Sequence, residues 1–348
     1  MANRTVYVTG SASGTPGTHG ATYATLNAAI AGEIGAAPDL VTGTAVLSIA
    51  ISLADADTTA VSIDGFTTSA SYYVNIYTDA SNRASAVWST SKYRLLVANA
   101  VPLTIKDQFV HVDGLQVGKS ASTATDEPIV NYWGLDAGAI HWISNCHLKQ
   151  AGNNGVREPV VNCADGDLTL YLWNSVLYGT SNYASTSNAA LLSANSTAVS
   201  AYNCVFVSYA GVNNAGGGTP VLKNCYAAGQ TAGTAYYGSP TLTYCASNDT
   251  TAGSANGCVS SVALDTDTFI STTDFHVAAD GASPLQGAGN APGGSAPLNY
   301  TTDIDGQTVA TWCIGVDGIA ATAQFARPSS DVAGGILYFD RTGHKFLG

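Results

Sequence analysis

Apolar and polar residues alternate along this chain in short runs, and clusters of Gly, Asn, Ser and Thr separate the runs. A period of two bounded by turn formers predicts strand after strand. One segment has a different period. Over residues 21–34, Tyr23, Leu26, Ile30 and Ile34 fall on one helical face. Thr22 is placed to cap that helix and Gly35 to close it.

The strands repeat. Val110-His-Val-Asp-Gly-Leu-Gln-Val117 is followed by His141-Trp-Ile-Ser-Asn-Cys-His-Leu148 and Leu170-Tyr-Leu-Trp-Asn-Ser-Val-Leu177. Val199-Ser-Ala-Tyr-Asn-Cys-Val-Phe206, Pro220-Val-Leu-Lys-Asn-Cys-Tyr-Ala227 and Pro240-Thr-Leu-Thr-Tyr-Cys-Ala-Ser247 come next. The anchors Gly114, Asn145, Asn174, Asn203, Asn224 and Tyr244 are 31, 29, 29, 21 and 20 residues apart. Repeats of this length without a helix in each unit imply a solenoid of stacked parallel strands. Strand twist and crossover handedness make it right-handed. Alignment of the copies defines an inward column of Val112, Ile143, Leu172, Ala201, Leu222 and Leu242. A second holds Leu115, Cys146, Ser175, Cys204, Cys225 and Cys245, and a third Val117, Leu148, Leu177, Phe206 and Ala227. Five of the six anchors are Asn or Gly, which suits a bend with a left-handed residue and a ladder of stacked amides. An earlier copy, Val61-Ser-Ile-Asp-Gly-Phe66, aligns Ile63 with Val112 and leaves room for two turns between them.

The repeated Asn-Cys bends resemble those of the right-handed parallel β-helices of the pectate-lyase-like superfamily. That resemblance implies an all-β solenoid over 1–318, with the helix of 21–34 capping an end that would otherwise expose a sheet edge. Thr302-Asp-Ile-Asp-Gly-Gln with Trp312-Cys-Ile-Gly-Val-Asp317 resembles a closing motif of such coils, although Gln307 and Val309 depart from it. Phe325-Ala-Arg-Pro-Ser-Ser-Asp-Val-Ala-Gly-Gly335 resembles segments that follow β-helices in virion proteins of tailed phages. It opens a C-terminal tail, 319–348, that ends in an apolar-basic stretch. Tyr338, Phe339, Arg341, Lys345 and Phe346 are the candidate anchor to a partner.

Composition narrows the classes. Of 348 residues, 46% are hydrophobic and only 10% charged, with a net charge of −12. Disorder needs lower hydrophobicity and more charge, and nucleic-acid binding needs a basic field. The tail carries +1 and the remainder −13. No run of apolar residues is long enough for a membrane helix, and no apolar export leader follows the N-terminal Met. Seven cysteines without a C-x-x-C pair read as buried free thiols, in keeping with assembly in a reducing cytoplasm.

Chemistry is sparse. Lys106, Lys119, Lys149, Arg157 and Lys223 are scattered over different turns, without the cation and base that β-elimination needs. Asp303 and Asp305 read as a turn rather than a calcium loop. Asp64 and Asp113 share an Asp-Gly position; they read as turn residues, and they are the best available carboxylate pair for glycoside hydrolysis. His111 and His147 should point outward and His141 inward. The alignment sets Trp142 beside Tyr171 in one outward column and Trp173 beside Tyr202 in the next. Such a cluster marks a carbohydrate groove or a protein contact, and the insertions at 148–168 and 179–197 could cover it. The expectation is a non-enzymatic virion β-helix with no metal or cofactor. It would be a capsid decoration or head-fibre protein, assembled in the host cytoplasm and displayed on the particle as a homotrimer bound to other virion proteins. A tailspike depolymerase and an adhesin for a host surface glycan are the alternatives. Nucleic acid and membrane are not expected partners.

Overall fold

A computed structural model describes residues 3–121, 127–135, 137–150, 159–163, 168–180, 184–195, 197–216, 218–230, 233–278, 281, 283–293 and 296–320. It also gives the backbone of 337–339 and 345–347. The chain is an all-β parallel β-helix, with one α-helix among the described residues. Each full coil passes through three faces. The first face stacks Arg4–Val8, Leu47–Ile51, Val74–Thr78, Phe109–Asp113 and Ala139–Ser144, then the starts of Leu168–Gly179 and Ala198–Ser208, then Val221–Lys223 and Thr241–Thr243. The second face runs from Ala56–Asp57 through Arg94–Val97, Gln116–Lys119 and His147–Gln150 to Tyr226–Gly229 and Ala246–Ser247. The third is a seven-stranded sheet from Val61–Ile63 to Tyr236–Tyr237. Because Leu168–Gly179 and Ala198–Ser208 pass unbroken through the corner, the first two faces join into one 16-stranded sheet.

Apolar side chains alternate inward and stack into a continuous core. The inward columns read from the repeats hold rung by rung: Ile143 is in register with Val112 and Leu172, and Leu222 with Ala201 and Leu242. The bend works as expected too. Gly114, Asn145, Asn174, Asn203, Asn224 and Tyr244 all have positive φ, from 47° to 78°. Gly114 is demanded twice over, since a Cβ there would sit 2.5 Å from Thr78 Oγ1 and 3.1 Å from Arg83 Cγ. The amide ladder is real but interrupted. Asn174 Nδ2 donates to Asn145 Oδ1 (3.2 Å) and Asn224 Nδ2 to Asn203 Oδ1 (2.8 Å). Between those pairs Asn174 Oδ1 and Asn203 Nδ2 are buried without a partner among the described residues. All seven cysteines are free and buried, and burial pushes the Cys146 thiol up to about 12.

Two expectations need correction. The helix is Leu26–Ala36, not 21–34. Thr22–Tyr23 alternates and pairs as a strand with Arg4–Val8, and the cap is Thr25, whose hydroxyl accepts from Ala28 N at 3.1 Å. Asp57 Oδ2 takes the Leu26 N–H at 2.8 Å, so the first turn is satisfied from the coil it caps. Leu26, Ala29 and Ile30 close the core, and buried Glu33 is held by Arg4 (2.9 Å) and Tyr23 (2.6 Å). Second, Val61–Ile63 lies on the third face, where Ile63 pairs with Ile105. The strand that precedes Val112 is Val74–Thr78, with Ile76 opposite it. A three-residue alternation carries no mark of its face, so local similarity misassigned it.

The last strand in the parallel ladders is Ala246–Ser247. The span 1–318 therefore holds the coil and a cover. The described residues of 262–320 fold back over the outside of the second face with two antiparallel hairpins, Phe269–Ser271 with Asp274–Val277 and Val309–Trp312 with Gly318–Ala320. Phe269, Phe275, Leu285, Ile304 and Ile314 pack there on Val176, Val205, Tyr226 and Ala246, forming a second apolar core outside the coil. The Thr302–Gln307 segment is a turn of this cover: Asp303 Oδ1 accepts from Asp305 N (3.1 Å) and Gln307 N (2.9 Å). In the tail, Leu337–Phe339 pairs antiparallel with Lys345–Leu347, setting Tyr338 opposite Phe346 and Phe339 opposite Lys345. Arg341 lies outside the described residues.

Candidate functional site

The outer surface of the first face carries a groove of about 480 Å³. Alternation points Asn75, His111 and Trp142 outward in one column and Tyr77, Asp113, Ser144 and Trp173 in the next. Adjacent parallel strands are about 4.8 Å apart, so the groove crosses four coils, or about 14 Å along the axis. Arg83, from the 79–93 insertion between the first and second faces of one coil, forms a side wall.

The rings are locked against each other. His111 stacks flat on Trp142, with centroids 3.7 Å apart and planes 8° from parallel, and Tyr73 lies 4.1 Å beyond His111. Trp173 follows edge-on at 6.2 Å. Burial lowers the His111 pKa to about 4, so the imidazole in the stack is neutral near pH 7. Beside the rings runs a polar row. Asp113 Oδ1 accepts from Asn145 Nδ2 (2.5 Å) and Ser144 Oγ (2.6 Å), and Arg83 Nη2 stands 3.5 Å away. Arg83 Nε and Trp142 Nε1 are buried and have no partner among the described residues.

The four aromatics expected to form one patch are divided. Trp142 pairs with Tyr171 and Trp173 with Tyr202, as the alignment requires. Only Trp142 and Trp173 line the groove. The cover closes the far end: Tyr300 stacks on Trp173 (6.1 Å, 16°) and Trp312 meets Tyr300 edge-on at 5.7 Å. The insertions at 148–168 and 179–197 contain 151–158, 164–167, 181–183 and 196, which lie outside the described residues, as does Arg157. Asp64 and Asp113 do not form a pair. Asp64 sits after a third-face strand, bound to Lys106 at 2.8 Å, whereas Asp113 ends a first-face strand. Among the described lining residues Asp113 is the sole acid.

His141 is fully buried and faces inward, and burial lowers its pKa to about 3. His147 points away from the coil interior but is buried under Trp88 and Phe275. Sequence reasoning missed Tyr73, Asn75, Tyr77 and Arg83. The alternation of Val74-Asn-Ile-Tyr-Thr78 is in phase with Val110-His-Val-Asp113 and marks Asn75 and Tyr77 as outward. Among the described residues no group of three or more His, Cys, Asp or Glu is placed to hold a metal. Comparisons with protein-family models, with curated proteins and with solved structures find no match.

Proposed function

We propose that this chain is a non-enzymatic β-helix of the pectate-lyase-like kind, a surface component of a tailed-phage particle that holds a host glycan in its first-face groove. The carrying observation is the groove itself. Fixed aromatic rings flank a row of Asn, Asp, Ser and Arg side chains over the length of a short oligosaccharide. Rings and carbonyl-type acceptors side by side suit a ligand with apolar ring faces and hydroxyl edges. The stacked rings are already ordered, so binding costs little side-chain entropy. Binding without cleavage is favoured because glycoside hydrolysis ordinarily uses two carboxyl groups about 5 to 9.5 Å apart, and Asp113 is the sole acid among the described lining residues. One of its two oxygens, Oδ1, already accepts from Ser144 and Asn145, which suits a positioning group. The virion setting rests on the resemblance of the coil bends and of 325–335, with the tail as the anchor to a capsid or tail protein.

Surface glycans screened against the purified chain test this reading. Binding to at least one oligosaccharide is expected, weakened at least tenfold by Asn75→Ala and by Trp142→Ala. Release of reducing ends from the bound glycan, or binding that ignores both substitutions, would overturn it.

A further inference from the structure

A second recess opens where the cover meets the 79–93 insertion. It holds about 160 Å³, the share of about five water molecules. Trp88 and Phe275 supply apolar walls, with Tyr178, His147, Lys149 and Thr273 around them. The polar groups are unequal. Lys106 and Lys119 meet Asp64 and Glu127 at 2.8 and 3.3 Å. Lys149 meets no carboxylate among the described residues; its ammonium lies 5.7 Å from the Trp88 ring centroid. In a chain with 24 acidic and 12 basic residues, a half-buried lysine facing an indole instead of an acid is conspicuous. His147 Nδ1 lies 3.2 Å from the Ser85 carbonyl, which assigns the proton to Nδ1 and leaves Nε2 as an acceptor. Burial lowers its pKa to about 4, so the ring adds no positive charge near pH 7. The Tyr178 hydroxyl has no partner among the described residues.

We propose that this recess binds a small carboxylate, with the Lys149 ammonium on the carboxyl group and Trp88 and Phe275 on its carbon body. One ammonium in a recess with few other charges favours a single negative group. The volume limits the body to a short acid or one acidic sugar ring. The net negative charge of the chain does not forbid this, because exposed charges are screened within about 8 Å at physiological salt. The site is distinct from the first-face groove: Lys149 stands on the second face with the Trp88 ring of the insertion beside it, and Asp113 and Trp142 stand on the first. The 79–93 insertion serves both, with Arg83 walling the groove and Trp88 walling the recess.

The test uses the intact chain and Trp fluorescence, with isobutyrate, glucuronate and the neutral isobutyramide as probes. At least one carboxylate should bind, and the amide at least tenfold more weakly. Lys149→Gln, which keeps much of the stem, should weaken the carboxylate at least tenfold at unchanged melting temperature. Trp142→Ala should leave this binding intact, separating it from the glycan reading. If Lys149→Gln alters the fold, Thr273→Val with the acid-against-amide ratio replaces it. Binding of isobutyrate alone assigns the site to short acids, and binding of glucuronate assigns it to uronate sugars. If neither acid binds, or acid and amide bind equally, the proposal fails.

Discussion

The coil and its cover are built by different means. In the coil every rung repeats the one before, so a side chain is stabilised by its own copy: Asn on Asn, Cys near Cys, Leu on Leu. The cover has no repeat. It is held by particular contacts from distant parts of the chain, such as Asn174 Nδ2 to the Thr302 carbonyl at 2.7 Å and Lys223 Nζ to the Ala291 carbonyl at 2.5 Å. The outer surfaces of the coil record the difference. Where the cover lies, the second face presents Val176, Val205, Tyr226 and Ala246. Where nothing in the described chain lies over it, the first face presents Asn75, His111, Asp113 and Trp142. An outward apolar column thus signals a docked segment, and an outward polar-aromatic column an open site.

Their histidines differ in the same way, and pH should separate the two regions with the largest effect. In the coil, His141 and His147 are buried and neutral, with pKa values lowered to about 3 and about 4, and His111 is lowered to about 4. The unfolded chain protonates near pH 6.5, before these native sites do. Stability from neutral imidazole is therefore complete above 6.5 and falls as the pH drops toward 4. The loss is about 1.4 kcal/mol per pH unit for each fully buried ring. In the cover, His276 bridges Asp274 (2.5 Å) and Asp305 (2.8 Å), and those carboxylates raise it to about 9. Its contribution is complete below 6.5 and is lost as the pH rises through 9. Melting followed from pH 4 to 10 should show acid lability of the whole chain and alkaline loosening confined to 262–320. Proteolysis mapping locates each, and the reverse assignment would break the comparison.

Phe275→Ala should come next. Its ring is buried between His147, Tyr178 and Phe269, and removing such a ring costs about 3–5 kcal/mol. Thermal unfolding should show the cover releasing before the coil. Trp142→Ala, on the half-open first face, should cost about 1–2 kcal/mol. Equal losses would mean that the cover is no more tightly packed than the groove.

The same contrast explains what the sequence made legible. The columns around Leu172, Cys204 and Phe206 could be read because each residue has several copies in phase, and errors cancel over rungs. The bend was legible because Asn and Gly answer a dihedral requirement that few residues meet. The third face was not, since three-residue strands such as Val61–Ile63 look alike on any face. The helix start was misplaced because Ala21 and Tyr23 have apolar spacing that suits a strand as well as a helix turn. Trp142 and Trp173 were found as outward aromatics, but half of their meaning lay elsewhere. Tyr300, which closes one end of the ladder, is 127 residues beyond Trp173 and shares no pattern with it. Packing between non-repeating segments leaves no periodic trace.

Asn224 sits where coil and cover meet, so it tests both at once. Its side chain donates to Asn203 Oδ1 (2.8 Å) and to the Asn290 carbonyl (2.6 Å), and accepts from Asn290 N (2.9 Å). Its φ is +54°, a region that Asn tolerates and Ala does not. Asn224→Ala should cost about 2–3 kcal/mol, from buried groups left unpaired and from backbone strain. Asn224→Gly removes the same bonds without the strain, so the gap between the two variants measures the bend and the remainder measures the lost amide bonds, to Asn203 in the coil and to Asn290 in the cover. Asn145→Ala is the control in the open groove, where the amide bonds within the coil, to Asp113 and Asn174. It should leave the cover protected from protease, whereas both Asn224 variants should expose it. Cover release by Asn145→Ala as well would show that the amide ladder transmits strain along its length, and that coil and cover are one cooperative unit.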